Sequence, residues 1–290
     1  MTQLLAQKLK VALIQLAATA DKARNLARVK EHVLKAASNG AQLIVLPECF
    51  NSPYSVAAFP EYAENIPLGE TTTFLSKLAL DTKTYLIGGS IPERDSQGRL
   101  FNTSLSFSPM GDIIAKHRKV HLFDIDIAGK IRFKESEVLT GGNKVTVFDV
   151  PPFGKVGLAI CYDIRFPELA MIAARKENVF AMIYPGAFNT TTGPLHWDLL
   201  ARARAVDNQI YVLLCSPARD MTAGYHAYGY SAVVDPNASI LAQANEDEAI
   251  VYSELIPGTI ESVRAGIPVT TQRRFDVYPD ICNSAETSDI

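Results

Sequence analysis

Three polar side chains in this sequence stand where strongly apolar runs end. Glu48 closes Leu-Ile-Val-Leu-Pro-Glu from position 43, and Lys119 sits in Lys-His-Arg-Lys-Val-His-Leu-Phe from 116. Cys161 closes Val-Gly-Leu-Ala-Ile-Cys from 156, just ahead of Tyr-Asp-Ile-Arg-Phe-Pro-Glu. The junction between a buried strand and a loop is where α/β folds carry their working groups. A thiol there lies close to backbone N–H groups and can face a pocket. With an ordinary pKa of about 8.5, it needs help to act as a nucleophile near neutral pH. A carboxylate such as Glu48 can take its proton, and an ammonium such as Lys119 can supply positive charge. Taken singly each residue has an ordinary reading: a small buried hydrophobe, a turn cap, and a surface charge between Lys116 and Arg118 and their neighbours.

Other chemistries lack their signatures. No G-x-G-x-x-G follows a strand, and neither G-x-x-x-x-G-K-[ST], G-x-S-x-G nor H-E-x-x-H occurs. His117 and His121 are four apart with Asp124 and Asp126 close behind, so a metal-dependent hydrolase is one competing reading. Solvated or supporting groups are the ordinary alternative there. No metal is expected. The net charge of −3 provides no basic footprint, so no nucleic-acid partner is expected. No apolar stretch approaches the ~20 residues a membrane helix needs, so no membrane partner is expected either. Gln15 interrupts the early run from Val11 to Ala20, which lies too close to the first strand signal to read as a removable targeting segment. Cys49, Cys161, Cys215 and Cys282 are widely spaced, which fits a reducing compartment rather than a disulfide framework. The Asn-x-Ser/Thr matches at Asn102, Asn189 and Asn237 carry little weight without a secretory signal.

The elements that must position these side chains alternate along the chain. Val11–Leu16, Leu43–Leu46, Tyr85–Ser90, Val156–Cys161, Ala181–Tyr184 and Tyr211–Ser216 read as strands, mostly apolar on both faces. Thr103–Phe107, Ile113–His117, Val145–Phe148 and Tyr228–Val234 alternate more regularly. Amphipathic stretches predict helices over Asp21–Ser38, Thr71–Thr82, Pro167–Glu177 and His196–Gln209, with Asp21 and Thr71 as N-caps and Gly40 as a stop. Two sheets flanked by helices account for the mixture, in an α/β fold of one domain. The 290 residues, 48% of them hydrophobic, are ample for its core. The domain is expected to span 1–279, followed by a polar tail over 280–290.

LPECFNSPY, KHRKVHLFD and GLAICYDIRFPEL, in this order and at these distances, resemble the nitrilase superfamily of carbon–nitrogen hydrolases. The resemblance runs from Val11 to about Tyr278. It implies a catalytic Glu48, Lys119 and Cys161, with Glu135 of Phe-Lys-Glu-Ser (133–136) as a second carboxylate that holds Lys119 charged. It also implies an α-β-β-α sandwich that dimerises with itself, no cofactor, and an oxyanion held by Lys119 and the backbone N–H of Tyr162. HLFDIDIAGKIRFKESEVLTGG, YPGAFNTTTGPLHWDLLARARAVDNQ and SPARD are similar to the ω-amidase branch. The implied substrates are then 2-oxoglutaramate, 2-oxosuccinamate and related monoamides of dicarboxylic acids, small-molecule amides handled in the cytoplasm or the mitochondrion. Deaminated glutathione is the substrate of the nearest branch, and a catalytically silent scaffold is the remaining alternative. Ala128 departs from the pattern, since Pro usually precedes Gly129.

Substrate selectivity then calls for a cation facing the distal carboxylate. Arg165, four residues after Cys161, is the first candidate because its fork can grip a carboxylate with two hydrogen bonds. Tyr54, Thr191 and Thr192 are expected neighbours. His196 and Trp197 are expected to pack at a helix start, Cys215 to sit in the core, and Cys49 to have no nucleophilic role.

Overall fold

The computed structural model describes residues 3–129 and 131–278; the tail expected over 280–290 lies outside the described residues. The first half runs β1 (Leu9–Gln15), α1 (Lys22–Ser38), β2 (Leu43–Val45), α2 (Phe59–Tyr62), α3 (Glu70–Thr82), β3 (Tyr85–Ile87), β4 (Ile91–Arg94), β5 (Leu100–Phe107), β6 (Ile113–Arg118), β7 (Asp124–Ile127) and β8 (Ile131–Lys134). The second half runs β9 (Thr146–Val150), β10 (Gly154–Leu158), α4 (Pro167–Lys176), β11 (Ala181–Pro185), α5 (Gly193–Asn208), β12 (Tyr211–Cys215), β13 (Ala232–Val234), β14 (Ile240–Gln243), β15 (Ala249–Leu255) and α6 (Thr259–Gly266). Short 3₁₀ turns occupy Glu135–Glu137 and Cys161–Arg165.

The strands form two sheets and a separate β7–β8 hairpin. In the first sheet β15, β1, β2 and β3 lie side by side, with β1–β2 and β2–β3 parallel. Strand β5 pairs with β3, β4 and β6. Because Thr103 pairs with both β4 and β6, those two strands flank β5 on opposite edges, and β3 shares the β4 edge. The second sheet runs β14-β13-β12-β11-β10-β9, parallel over β10–β12. Parallel strands are covered on both faces, which is why their sequences are continuously apolar.

Three cores follow from this layering. Leu13, Val45 and Ile87 of the first sheet meet Leu158, Ile183 and Leu213 of the second between the sheets. Leu26, Val29, Val33 and Ala36 of α1, spaced to fall on one helix face, pack with Leu75 and Leu78 of α3 over the outer side of the first sheet. Ala170 and Ala173 of α4 and Trp197, Ala201 and Ala205 of α5 cover the second. The result is an α-β-β-α sandwich. No helix among the described residues is long and apolar enough to cross a membrane.

Local sequence explains most boundaries. Asp21 caps α1, accepting from the Arg24 N–H at 2.9 Å, and Gly40 leaves the helix at φ +81°. Thr71 is not the cap of α3. The helix starts one residue earlier behind Gly69, and the Glu64 carboxylate takes the Thr71 N–H and hydroxyl at 2.8 and 2.6 Å. The strand expected over Tyr228–Val234 is confined to Ala232–Val234, because Gly229 and Tyr230 take φ of +82° and +58° and interrupt the pleat. Helix α5 begins at Gly193 rather than His196, with Pro194 in its first turn, a position where Pro is favoured.

Candidate active site

Each sheet sends its chain ends toward one point. Glu48 follows β2 in a tight loop that leans on the corner between β3 and β4. There Gly89 takes φ +55°, and a Cβ on it would fall 2.0 Å from the Pro47 carbonyl oxygen. Ser90 Oγ accepts the Cys49 N–H at 3.0 Å and fixes the residue next to Glu48. Lys119 directly follows β6, and its N–H donates to the Asn102 carbonyl on β5 at 2.9 Å. Cys161 comes from the second sheet, past the end of β10, at the head of a 3₁₀ turn. Its φ of +47° lies in the left-handed region, which costs a side-chain-bearing residue about 1–2 kcal/mol.

The three side chains converge with Glu135 in a buried cluster. Lys119 Nζ donates to Glu48 Oε1 at 2.9 Å and to Glu135 Oε1 at 3.0 Å, and it lies 3.4 Å from Tyr54 Oη. Tyr54 Oη donates to Glu135 Oε1 at 2.8 Å, and the Phe123 N–H donates to Glu135 Oε2 at 2.7 Å. Glu48 Oε1 also accepts from Asn102 Nδ2 at 2.8 Å, and Glu48 Oε2 from the Ala187 N–H at 2.8 Å. The same N–H lies 3.4 Å from Cys161 Sγ. Glu48, Lys119, Glu135 and Cys161 are all at most 3% exposed.

Burying an ammonium is costly unless its partners compensate. Burial alone would push Lys119 down, but Glu135 and Glu48 outweigh it and hold the ammonium well above its usual range. Burial and the Glu48 carboxylate push the Cys161 thiol up, against the pull of Lys119, which favours the protonated sulfur at rest. Burial likewise raises Glu135, against the pull of Lys119. A neutral thiol beside a carboxylate and a fixed cation has the neighbours that can make it a nucleophile on demand.

A cavity of about 680 Å³ opens over Glu48, with Tyr54, Phe133, Ala187 and Tyr225 in its wall. Tyr54 stacks on Phe133 with centroids 5.3 Å apart and meets Tyr225 edge-on at 4.6 Å. The Tyr225 hydroxyl donates to the Ala187 carbonyl and so steadies the residue whose N–H, in the preceding peptide, reaches Glu48 and Cys161. Neither Tyr225 nor Asn102 stood out in the sequence. Asn102 matched a glycosylation pattern, yet it is buried against Glu48.

The residues expected to bind substrate fall in two places. Tyr54 is inside the cluster. Arg165, Tyr162, Thr191 and Thr192 do not border the cavity over Glu48. The N–H groups of Thr191 and Thr192 donate to Asn189 Oδ1 at 3.0 and 2.8 Å, which shapes the entry to α5. The Tyr162 ring packs against Phe123 and Phe166. Arg165 Nη1 lies 3.2 Å from His196 Nδ1, and its guanidinium sits 4.7 Å from the Phe188 centroid. Burial lowers its pKa against the opposing pull of Cys161, and no carboxylate among the described residues lies within salt-bridge distance of it.

His117, His121, Asp124 and Asp126 do not converge. His117 Nε2 and His121 Nδ1 bond the two oxygens of Asp163 at 3.0 and 2.8 Å, and Asp124 accepts from Ser136. No group of three such side chains that could hold a metal ion occurs among the described residues. Cys215 is buried with Sγ 3.3 Å from the Ile14 and Val45 carbonyls, and Trp197 is buried with its indole N–H on the Tyr230 carbonyl, both as expected.

A two-sheet sandwich that brings a glutamate, a lysine and a cysteine together from both sheets matches a known class. The sequence model of the carbon–nitrogen hydrolase family covers residues 10–265, and the chain belongs to that family. It is 55% identical to Omega-amidase NIT3 of Saccharomyces cerevisiae over 97% of this chain and 98% of that one. It is 52% identical to human Omega-amidase NIT2 over 93% of this chain and 96% of the relative. Its fold superposes on the crystal structure of Saccharomyces cerevisiae Nit3, a member of branch 10 of the nitrilase superfamily, with a TM-score of 0.87 at 52% identity, covering 94% and 99% of the two chains.

Proposed function

We propose that this protein is an ω-amidase that hydrolyses the terminal amide of 2-oxoglutaramate, 2-oxosuccinamate and related dicarboxylic monoamides. The buried contact of Glu48, Lys119 and Cys161 carries this proposal, together with the identity to two omega-amidases. In the proposed reaction Glu48 takes the Cys161 proton while the sulfur attacks the amide carbon. The tetrahedral oxyanion rests against the Lys119 ammonium and the Tyr162 N–H. Collapse breaks the C–N bond, and the proton on Glu48 leaves with ammonia. The same carboxylate then takes a proton from water as the hydroxyl oxygen attacks the thioester carbon. The acid departs, and the proton returns to the sulfur. Glu135 keeps Lys119 charged throughout, and Tyr54 steadies Glu135. Every proton is accounted for by these side chains and water, so no metal or cofactor is proposed.

The carboxylate at the far end of the substrate is assigned to Arg165, which lies outside the wall of the cavity over Glu48 but feels the charge of Cys161. The half-buried guanidinium beside the nucleophile has no acidic partner among the described residues, so it is available to an anion brought by the substrate. The decisive assay measures ammonia release from 2-oxoglutaramate, succinamate, glutamine and deaminated glutathione side by side. Preference for deaminated glutathione would replace the ω-amidase assignment.

A homodimer is proposed from the outer face of α5. Leu195, Leu199 and Val206 lie along one stripe of the helix and are 64%, 62% and 48% exposed, an apolar stripe that a second copy could cover. Leu199→Glu should shift the mass seen by light scattering from dimer to monomer; an unchanged dimer would place the contact elsewhere. Cys49, Cys161 and Cys215 are free thiols, which supports a reducing cytoplasmic or mitochondrial setting, testable by fractionation.

A further inference from the structure

We infer that Asp163 is a positioning residue that fixes the oxyanion-binding groups against the nucleophile. The inference rests on the Glu48–Lys119–Cys161 mechanism proposed above.

Asp163 is fully buried two residues after Cys161, and its two oxygens gather five donors from two segments of chain. From its own turn, Oδ2 takes the Ile160 N–H at 3.0 Å. From the end of β6 and the loop beyond it, Oδ2 takes His117 Nε2 at 3.0 Å and the Val120 N–H at 3.5 Å. Oδ1 takes the His121 N–H at 2.9 Å and the His121 ring at 2.8 Å. These partners bracket Lys119 on both sides in the sequence, while Ile160 directly precedes Cys161. One carboxylate therefore clamps the lysine segment, which belongs to the first sheet, to the nucleophile turn, which belongs to the second.

The histidines are braced in turn. His117 Nδ1 bonds Thr146 Oγ1 at 2.9 Å on β9, and the His121 ring stacks on Phe166 with centroids 3.6 Å apart. Burial alone would raise the Asp163 pKa, but the hydrogen bonds from His117 and His121 hold it far below the usual carboxylate range. The clamp is thus ionised across the working range of pH. None of these groups touches the proposed reacting atoms. Their effect passes through the placement of Lys119 Nζ and the Tyr162 N–H, the two donors assigned to the oxyanion.

A buried charge clamp whose loss moves the donors by a fraction of an ångström should alter turnover more than binding, since misplacement near 1 Å can cost about 100-fold. Asp163→Asn keeps the volume and an acceptor oxygen but removes the charge; His121→Gln removes one side-chain partner and tests the clamp if Asp163→Asn does not fold. For succinamate in the whole enzyme, kcat should fall roughly 10- to 100-fold with KM changed less than about twofold. The fraction folded, read by circular dichroism at the assay temperature, should account for none of that loss. Wild-type kcat in folded Asp163→Asn, or in folded His121→Gln where the first variant is unfolded, overturns the inference. So does a loss matched by the unfolded fraction, which would make Asp163 a purely structural residue. Cys161→Ala assayed alongside separates the two levels: if it is active the mechanism itself fails, and if it is inert while folded Asp163→Asn is unimpaired only the clamp fails.

Discussion

Glu48 and Cys161 share one backbone donor. The Ala187 N–H lies 2.8 Å from Glu48 Oε2 and 3.4 Å from Cys161 Sγ. In the proposed reaction the thiol proton passes to the carboxylate, negative charge moves from oxygen to sulfur, and this N–H faces both places. The Tyr225 hydroxyl holds the Ala187 carbonyl in the next peptide, so the residue that carries the donor is braced as the charge shifts.

Cys161→Ala should lower kcat on the order of 10⁶-fold, the scale seen when other hydrolases lose their nucleophile. Its melting temperature should stay close to that of the parent, since the side chain is small. Mass spectrometry of the native protein quenched during turnover should find an acyl group on Cys161. Parent-like activity in the alanine variant would remove the thioester pathway.

Glu48→Gln and Lys119→Met should each be severe, and the double variant little worse than either, because the groups act as a unit. Losses in kcat/KM that multiply would mean independent roles. Lys119→Met also leaves Glu48 and Glu135 facing each other without their shared cation. Breaking a buried ion pair in this way costs about 3–5 kcal/mol, so its denaturation midpoint should fall much further than that of Glu48→Gln.

The pKa directions set two pH responses of opposite use. Cys161 is raised, so alkylation of the resting enzyme by iodoacetamide should be slow at pH 7 and climb steadily above pH 9. A rate already at its plateau near pH 6 would indicate a resting thiolate and make proton transfer to Glu48 unnecessary. Lys119 is raised above its unfolded value of 10.5, so its contribution to stability is complete below that pH and lost as pH rises through the higher folded value. Alkaline unfolding should accordingly begin at lower pH in Glu135→Gln, which removes one of the two carboxylates that hold the charge.

Arg165→Gln should weaken succinamate by about 10- to 150-fold in kcat/KM, the worth of one charge-assisted contact of about 1.5–3 kcal/mol. Arg165→Lys should also suffer, because an ammonium lacks the two-pronged grip. Butyramide, which has no second carboxylate, should change far less. Equal losses on both substrates would make Arg165 a brace for the cysteine turn, through His196 and Phe188.

Local signals carried much of this architecture. Helix α1 could be read from the Asp21 cap and the spacing of Leu26, Val29, Val33 and Ala36, and the parallel strands from runs with no polar face. Glu48 and Cys161 stood out because each interrupts such a run at its end, whereas Lys119 follows an alternating strand and stood out through the motif around it. The partners that hold them gave no local sign. Asn102 reaches Glu48 across 54 residues and Ala187 across 139, separations that only the pairing of strands closes. His117 and His121 showed a metal-like spacing because a common partner demands it, but that partner is Asp163, more than 40 residues away. The start of α3 was misplaced for a similar reason: Glu64 supplies the cap from outside the helix, so Thr71 looked like the first capping residue.

Glu48 and Lys119 hang from one sheet and Cys161 from the other, so the catalytic contacts are set across the layer of Leu13, Val45, Leu158 and Leu213 that separates them. That layer behaves as a spacer of fixed thickness. A truncation such as Leu213→Ala, distant from the chemistry and costing about 2–5 kcal/mol, lets the sheets settle toward each other. Turnover then becomes a gauge of sheet separation, sensitive to shifts too small to melt the fold.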